Sequence, residues 1–368
     1  MNWQPSFTYK MRQVVTITLF WTVVNLMLEL FFAVNYDPVT KQHFFSFIFG
    51  RNAAEHFLIT AIGPIVGGMT GGAFIVFYQR EKVKGKTYGQ KLLIHSLLYI
   101  VFVITSILFV GLIGALKYQD GLSFWERFYN DVFSLRVFRL VAAWYFIVIT
   151  TIFLLDVSER YGPGTLRRTL LGKYHTPVKE ERIFMFLDLR SSTTIAEQIG
   201  EEKYFRMLHF FYQVANEAII NTRGEIYQYV GDEIVITWKM ETGIRNANCL
   251  HCFQAISDAV AQREGEFNNN FGVVPGFKAG IHAGMVMTGE VGTIKKEIVY
   301  SGDVLNTTAR IVALCNQYGQ PLIISEKIYE ALKDTPGYQF TYLDSPVLRG
   351  KAVETALYGT TTTNTNKP

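Results

Sequence analysis

At 368 residues, with 49% hydrophobic residues, a positive mean hydropathy and a net charge of only +4, the chain is too apolar for a purely soluble protein. The same small charge gives no basis for a nucleic-acid partner. Three cysteines, Cys249, Cys252 and Cys315, exclude a disulfide framework and fit a reducing compartment.

Apolar runs crowd the N-terminal part, whereas the rest alternates like a globular domain. Four stretches have the length and hydropathy of membrane spans: 13–34, 56–78, 92–116 and 137–155, the last needing Arg139 to snorkel. Lys10 and Arg12 precede the first span, Arg80, Lys82, Lys84, Lys86 and Lys91 fill the second loop, and Arg160, Arg167 and Arg168 follow the fourth. The positive-inside rule then puts both termini on the cytoplasmic side of a multi-pass protein in the cell (inner) membrane. A cleaved signal peptide fits less well, because the first run is long and lacks a small-residue cleavage site.

Within this part, Gly63, Gly67, Gly68, Gly71 and Gly72 give small-xxx-small spacings, which suit either dimerisation or packing inside one chain. Glu29, inside the first span, is either a functional group or a side chain snorkelling to the outer interface. Leu122, Trp125, Phe128, Tyr129 and Val132 recur at helical spacing, as in a helix lying on the outer membrane surface.

Residues 1–156 thus form a membrane domain, and 157–181, broken by Tyr161-Gly162-Pro163-Gly164, form a short linker through which motions of the fourth helix reach the globular domain. That domain is expected over 182–359, with a disordered Thr- and Asn-rich tail over 360–368. It opens with an apolar strand, Ile183 to Leu187, ending in Asp188, followed by a helix from Thr193 to about Ile220. Ile226 to Val230 and Ile234 to Trp238 form a hairpin turning at Gly231-Asp232. A second helix, from Asn246 to about Phe267, and a fourth strand, Phe277 to His282, complete a βαββαβ unit of ferredoxin-like type.

In that topology the first strand runs antiparallel to the third, so Asp188 and Asp232 lie side by side. Adjacent carboxylates repel unless a cation lies between them, and hard oxygen ligands favour magnesium or manganese over zinc. The alternative makes Asp188 a helix cap and Asp232 a turn residue. Cys249-Leu250-His251-Cys252 has metal-like spacing but lies mid-helix with no second pair, and reads as a packed helix face. His282 reads as a satisfied strand residue. Asp303 starts a helix on which Asn306 and Arg310, four apart, share a face able to hold a sugar and a phosphate, or to remain a solvated pair.

These residues carry a family resemblance. Phe186-Leu187-Asp188-Leu189-Arg190-Ser191-Ser192-Thr193, Val230-Gly231-Asp232, Gly280-Ile281-His282-Ala283-Gly284, and Gly302-Asp303 with Asn306 and Ala309-Arg310 resemble the class III nucleotidyl cyclases over 182–358. The resemblance implies an α+β ferredoxin-like (palm) catalytic domain behind the α-helical membrane bundle of four transmembrane helices. It also implies two metal ions, Mg2+ or Mn2+, held by Asp188, Asp232 and the Leu189 carbonyl. Asn306 is implied to position the ribose, Arg310 to stabilise the transition state, and Arg349 with Lys351 to bind the terminal phosphates. The implied reaction converts a nucleoside triphosphate, ATP favoured, to the 3′,5′-cyclic monophosphate in a homodimer, because the family draws metals and the Asn/Arg pair from opposite protomers. Gln228 and Val299 occupy the base-selecting positions, where the family often has Lys or Glu with Asp, Thr or Cys. A neutral amide can donate or accept, so GTP stays open. Gly231-Asp232-Glu233 also resembles part of a diguanylate cyclase signature, although Val230 replaces one of its glycines. A receptor that binds nucleotide without turning it over is a further alternative.

Overall fold

The computed structural model describes residues 7–35, 65–79, 86–117, 123–133, 135–161, 172–347 and 354–362. The chain divides into a helical unit over 7–160 and an α+β unit that begins at Tyr161.

The helical unit contains α1 (Phe7–Asn35), α2 (Ile65–Tyr78), α3 (Tyr88–Lys117), α4 (Phe124–Val132) and α5 (Leu135–Tyr161). Two stretches are long and apolar enough to cross a membrane, Lys10–Leu28 in α1 and Val141–Ser158 in α5. Only 17% and 22% of them are buried, so neither has the surroundings of a soluble core helix. The described part of α2 is shorter than a span, and the four-span expectation therefore reaches two helices by this measure. Three glycines of α2 face α1, whereas Gly67 does not: a Cβ on Gly68 would stand 2.8 Å from Thr18, one on Gly71 2.9 Å from the Trp21 ring, and one on Gly72 3.3 Å from Ile17. These three serve packing within the chain. Trp21 donates its indole N–H to Thr151 Oγ1 at 2.9 Å, tying α1 to α5, and Lys91 pairs with Asp156 at 3.5 Å. The helix expected over this stretch forms as α4, whose N-cap Ser123 and Glu126 make a reciprocal capping box. The side chains of Glu29 and Arg139, and residues Gly63 and Leu122, lie outside the described residues.

The α+β unit runs β1 (Val178–Leu189), α6 (Ser192–Ile199), α7 (Glu201–Asn221), β2 (Glu225–Val230), β3 (Glu233–Lys239), α8 (Met240–Ile244), α9 (Asn248–Gln262), α10 (Glu264–Phe271), β4 (Phe277–Val291), β5 (Glu297–Ser301), α11 (Asp303–Leu314), β6 (Leu322–Ser325), α12 (Glu326–Leu332), β7 (Tyr338–Asp344) and β8 (Leu357–Thr362). The sheet order is β2-β3-β1-β4-β6-β8-β7, with β5 paired to the distal half of β4. Its first four strands have the ferredoxin-like arrangement, all antiparallel.

Several boundaries differ from expectation. Gly200, at φ 83°, breaks the long helix into α6 and α7. Left-handed Asn246 and Ala247 precede α9, so that helix begins at Asn248. β4 continues well past His282, paired with the start of β1 as far as Thr288 and with β5 from Met287 to Val291. β8 extends to Thr362, past the expected boundary at 359, since Thr360 and Thr361 pair with Phe340 and Gln339.

Both faces of β1 are covered, which explains its unbroken apolar run. Ile183, Met185 and Leu187 face a core with Phe211 of α7 and Leu250 and Ile256 of α9. Phe184 and Phe186 face a second core with Ile311 and Val312 of α11 and Cys315. Cys249, Cys252 and Cys315 are fully buried, and burial pushes the Cys249 and Cys252 thiols up to about 12, as a packed helix face requires. His282 Nδ1 lies 2.7 Å from Ser325 Oγ, a satisfied strand histidine.

α11 lies almost directly on β4. A Cβ on Gly280 would stand 2.6 Å from the Val312 backbone nitrogen, whereas one on Gly284 would stand 3.1 Å from the Val304 side chain. Gly280→Ala should therefore cost about 1–3 kcal/mol of stability, and Gly284→Ala less, because a side chain yields where a backbone cannot. Urea unfolding of the two variants beside the parent checks the order; equal stability would mean that the α11 contact is soft.

Candidate active site

Strand alternation decides where the candidate residues point. Asp188 shares parity with Phe184 and Phe186, so it emerges on the face of β1 that α11 covers, just beyond the end of that core. In the β1–β3 register Asp188 stands opposite Glu233, which places Asp232, in the tight turn at Gly231 (φ 60°), next to it. On the other side Asp188 stands opposite Lys278 of β4, whose Nζ lies 3.4 Å from Asp188 Oδ2. Tyr212 of α7 donates its hydroxyl to the Gly231 carbonyl at 2.7 Å, pinning the turn. Asp188 does not cap α6; Ser191 flanks that helix, without a side-chain cap bond.

Three carboxylates crowd this end of the sheet. Burial, then Asp232, raise the Asp188 carboxyl, against the opposing pull of Lys278. Glu233 is pushed up to about 7, by burial first and then by Asp188 and Asp232. Each rise comes first from burial and then from neighbouring negative charge that Lys278 only partly offsets. Among the described residues no three His, Cys, Asp or Glu side chains are placed as a complete metal cage. An ion here would draw on the two aspartates and backbone carbonyl oxygens such as that of Leu189, a residue 3% exposed at the end of β1. The donor set fits a hard divalent cation, and the raised carboxylate pKa values are relieved by one.

Asn306 and Arg310 lie on α11, which begins at Asp303 as expected. Asn306 is exposed, and Arg310 is half-buried with one guanidinium nitrogen, Nη1, buried and without a hydrogen-bond partner among the described residues. Among the described residues no hydrogen bond or ion pair joins either of them to Asp188 or Asp232. The structure therefore brings together the two aspartates, and separately Asn306 with Arg310. Gln228 sits exposed on β2, and Val299 lies on β5 opposite Gly289. Arg349 and Lys351 lie outside the described residues. Sequence reasoning gave no role to Glu233 or Lys278. The signal for both was the antiparallel register itself, which sets one on each side of Asp188 once the strand order is known.

The crowding has a measurable sign. Because the folded Glu233 pKa lies above its unfolded value, the folded cation-free protein binds the extra proton and loses stability as pH rises from about 4.5 to about 7. In chelator, Glu233→Gln should raise the melting temperature at pH 8 and leave it nearly unchanged at pH 4.5; a stabilisation larger at the lower pH would contradict this electrostatic account.

Residues 176–361 match the family described as the adenylate and guanylate cyclase catalytic domain. Adenylate cyclase 2 of Rhizobium meliloti is 34% identical over 182 residues, covering 50% of each chain. The adenylate cyclase of Anabaena cylindrica is 28% identical over 181 residues, covering 47% of this chain and 35% of its own. The chain thus spans half or less of the length of these curated relatives. A solved bacterial light-regulated adenylyl cyclase shares the fold at TM-score 0.51 and 18% identity, covering 61% of this chain and 65% of that one. With half of its length matched by that family, and with the strand order and paired aspartates described above, the chain belongs to the class III adenylate and guanylate cyclases.

Proposed function

We propose that the protein is a membrane-bound adenylate cyclase that converts ATP to 3′,5′-cyclic AMP and pyrophosphate in a homodimer. The observation that carries this reading is the register that sets Asp188 beside Asp232 at one end of the sheet, in a member of the cyclase family. Two divalent cations, Mg2+ or Mn2+, held by Asp188, Asp232 and the Leu189 carbonyl, would acidify the ribose 3′-hydroxyl and neutralise the triphosphate. The 3′-oxygen attacks the α-phosphorus, the bond to the pyrophosphate oxygen breaks, and the hydroxyl proton is lost to solvent. Asn306 holds the ribose, and Arg310 directs its N–H donors at the charge developing on the α-phosphate. Lys278, on the same face as Asp188, orients that carboxylate and adds positive charge toward the phosphates. Arg349 and Lys351 are assigned to the terminal phosphates, and Gln228 with Val299 to the base.

Three features support a two-chain site. Among the described residues no hydrogen bond or ion pair joins Asn306 or Arg310 to the aspartates, and none of those residues partners the buried Nη1 of Arg310. Tyr229, Val230, Met285, Met287 and Ile294 expose large apolar side chains around the β2–β3 turn and the β4–β5 hairpin. Support for ATP comes from the relatives named adenylate cyclases. A guanylate cyclase is the second reading, because a neutral, exposed Gln228 opposes neither purine.

The membrane reading rests on α1 and α5, whose apolar stretches are mostly uncovered. It extends to four spans with both termini cytoplasmic if α2 and α3 complete the bundle. The 30-residue α3 has ample length for its share.

The purified full-length protein, given manganese and each of the four nucleoside triphosphates in turn, should form cyclic AMP fastest. Asp188→Ala or Asp232→Ala should lower the rate on the order of a hundredfold or more, the loss expected when charge stabilisation in phosphoryl transfer is removed. Mixing the inactive Asp188→Ala and Arg310→Ala proteins should restore activity by rebuilding one of two shared sites. Wild-type turnover in the aspartate variants would sink the metal assignment, and no recovery despite demonstrated heterodimers would point to a site within one chain.

A further inference from the structure

The least expected side chain in the α+β unit is Arg182, a fully buried guanidinium on β1. A buried charge is retained only where every donor is satisfied, and here the partners come from separate strands. Nε donates to Thr237 Oγ1 of β3 at 3.1 Å, one terminal nitrogen to Glu180 at 3.1 Å, and the other to Glu225 of β2 at 2.8 Å. The guanidinium carbon lies 4.8 Å from the centre of the Tyr300 ring on β5. Glu180 is fixed in turn by the Tyr174 hydroxyl at 3.2 Å and by Lys173 Nζ at 3.3 Å. Tyr174 is itself 2% exposed, and its carbonyl accepts from the Glu290 amide of β4.

The β2 partner in this network, Glu225, lies close to an irregularity. The β2–β3 register shifts between Ile226 and Gln228, so Tyr227 is a bulged residue. A bulge re-aims the side chains that come after it, and the next residue is Gln228. Tyr227 packs edge-on against Tyr300 at 4.9 Å, the same ring that carries the Arg182 guanidinium. Glu225, bound to Arg182, lies two residues before the bulge. Tyr300 adjoins Val299, the other base-reading position. Arg182 thus grips the bulge from its N-terminal side through Glu225 and from its side-chain face through Tyr300, while Glu180 and Tyr174 keep Arg182 from turning away.

We infer that Arg182 is a positioning residue for base selection, holding the Tyr227 bulge and through it the direction of Gln228 against Val299. The inference rests on the proposed role of Gln228 and Val299 in reading the purine. A purely structural Arg182 would make its removal lower stability and turnover alike for every nucleotide. A positioning role instead changes how one base is preferred over the other.

The test uses full-length Arg182→Lys, Tyr227→Leu and Gln228→Lys proteins, with KM and kcat for ATP and for GTP measured in manganese and melting temperatures recorded alongside. Arg182→Lys keeps a charge but cannot bridge three partners. Tyr227→Leu removes the ring contact and leaves every ion pair in place, so it keeps the question answerable if Arg182→Lys fails to fold. The expected result is a change of about threefold or more in the ratio of specificity constants for both Arg182→Lys and Tyr227→Leu, carried mainly by KM, with kcat for ATP within about twofold. Gln228→Lys should move the same ratio. If Gln228→Lys moves it and folded Tyr227→Leu does not, the positioning role falls and the reading of Gln228 stands. If Gln228→Lys leaves the ratio unchanged, the reading of Gln228 falls and the inference falls with it.

Discussion

The period-two alternation of β1, a strand buried on both faces, governs the whole α+β unit. Odd-numbered residues from Ile183 to Leu187 fill the core against α7 and α9, and even-numbered ones fill the core against α11. A one-residue slip would exchange the two sets and carry Asp188 to the face that α7 and α9 cover. The continuous apolar run and the paired β3 and β4 neighbours make that slip costly. The position of the carboxylate therefore follows from hydrophobic packing rather than from any local preference of aspartate.

The same alternation explains how much was legible in the sequence. An apolar run ending in Asp188, a hairpin turning at Gly231-Asp232 and a helix opening at Asp303 were readable because each is encoded locally, by periodicity or turn chemistry. The adjacency of the aspartates followed from topology alone. What escaped depends on partners distant in sequence. Lys278 and Glu233 acquire meaning only through register, the length of β4 only through the start of β1 and through β5, and the extension of β8 only through β7. Arg182 reads as an ordinary polar residue at the head of an apolar strand, and only the surrounding strands turn it into a buried hub.

The helical unit shows a different balance. The glycines of α2 were open to two readings, and close approach to Thr18, Trp21 and Ile17 decides for packing within the chain at three of them. Without side chains at these positions the helices meet at short range, and the Trp21 to Thr151 hydrogen bond adds a polar tie where apolar contacts alone specify little. Lys91 and Asp156 form a second polar link inside the same unit.

The burial of all three cysteines has a practical side. Cys249 and Cys252 sit in the core behind the helix layer, and Cys315 sits in the core beneath α11, so each layer of the α+β unit holds at least one silent thiol. A thiolate forms readily only where solvation and positive charge outweigh burial, and here burial holds all three thiols up, Cys315 at about 11 even against the pull of Lys278 and Arg190. An alkylating reagent can then reach these sulfurs only when the layer above them opens. The native sequence thus carries its own clock for opening: the labelling rate of Cys315 times the departure of α11 from the sheet, and those of Cys249 and Cys252 time the loosening of α9.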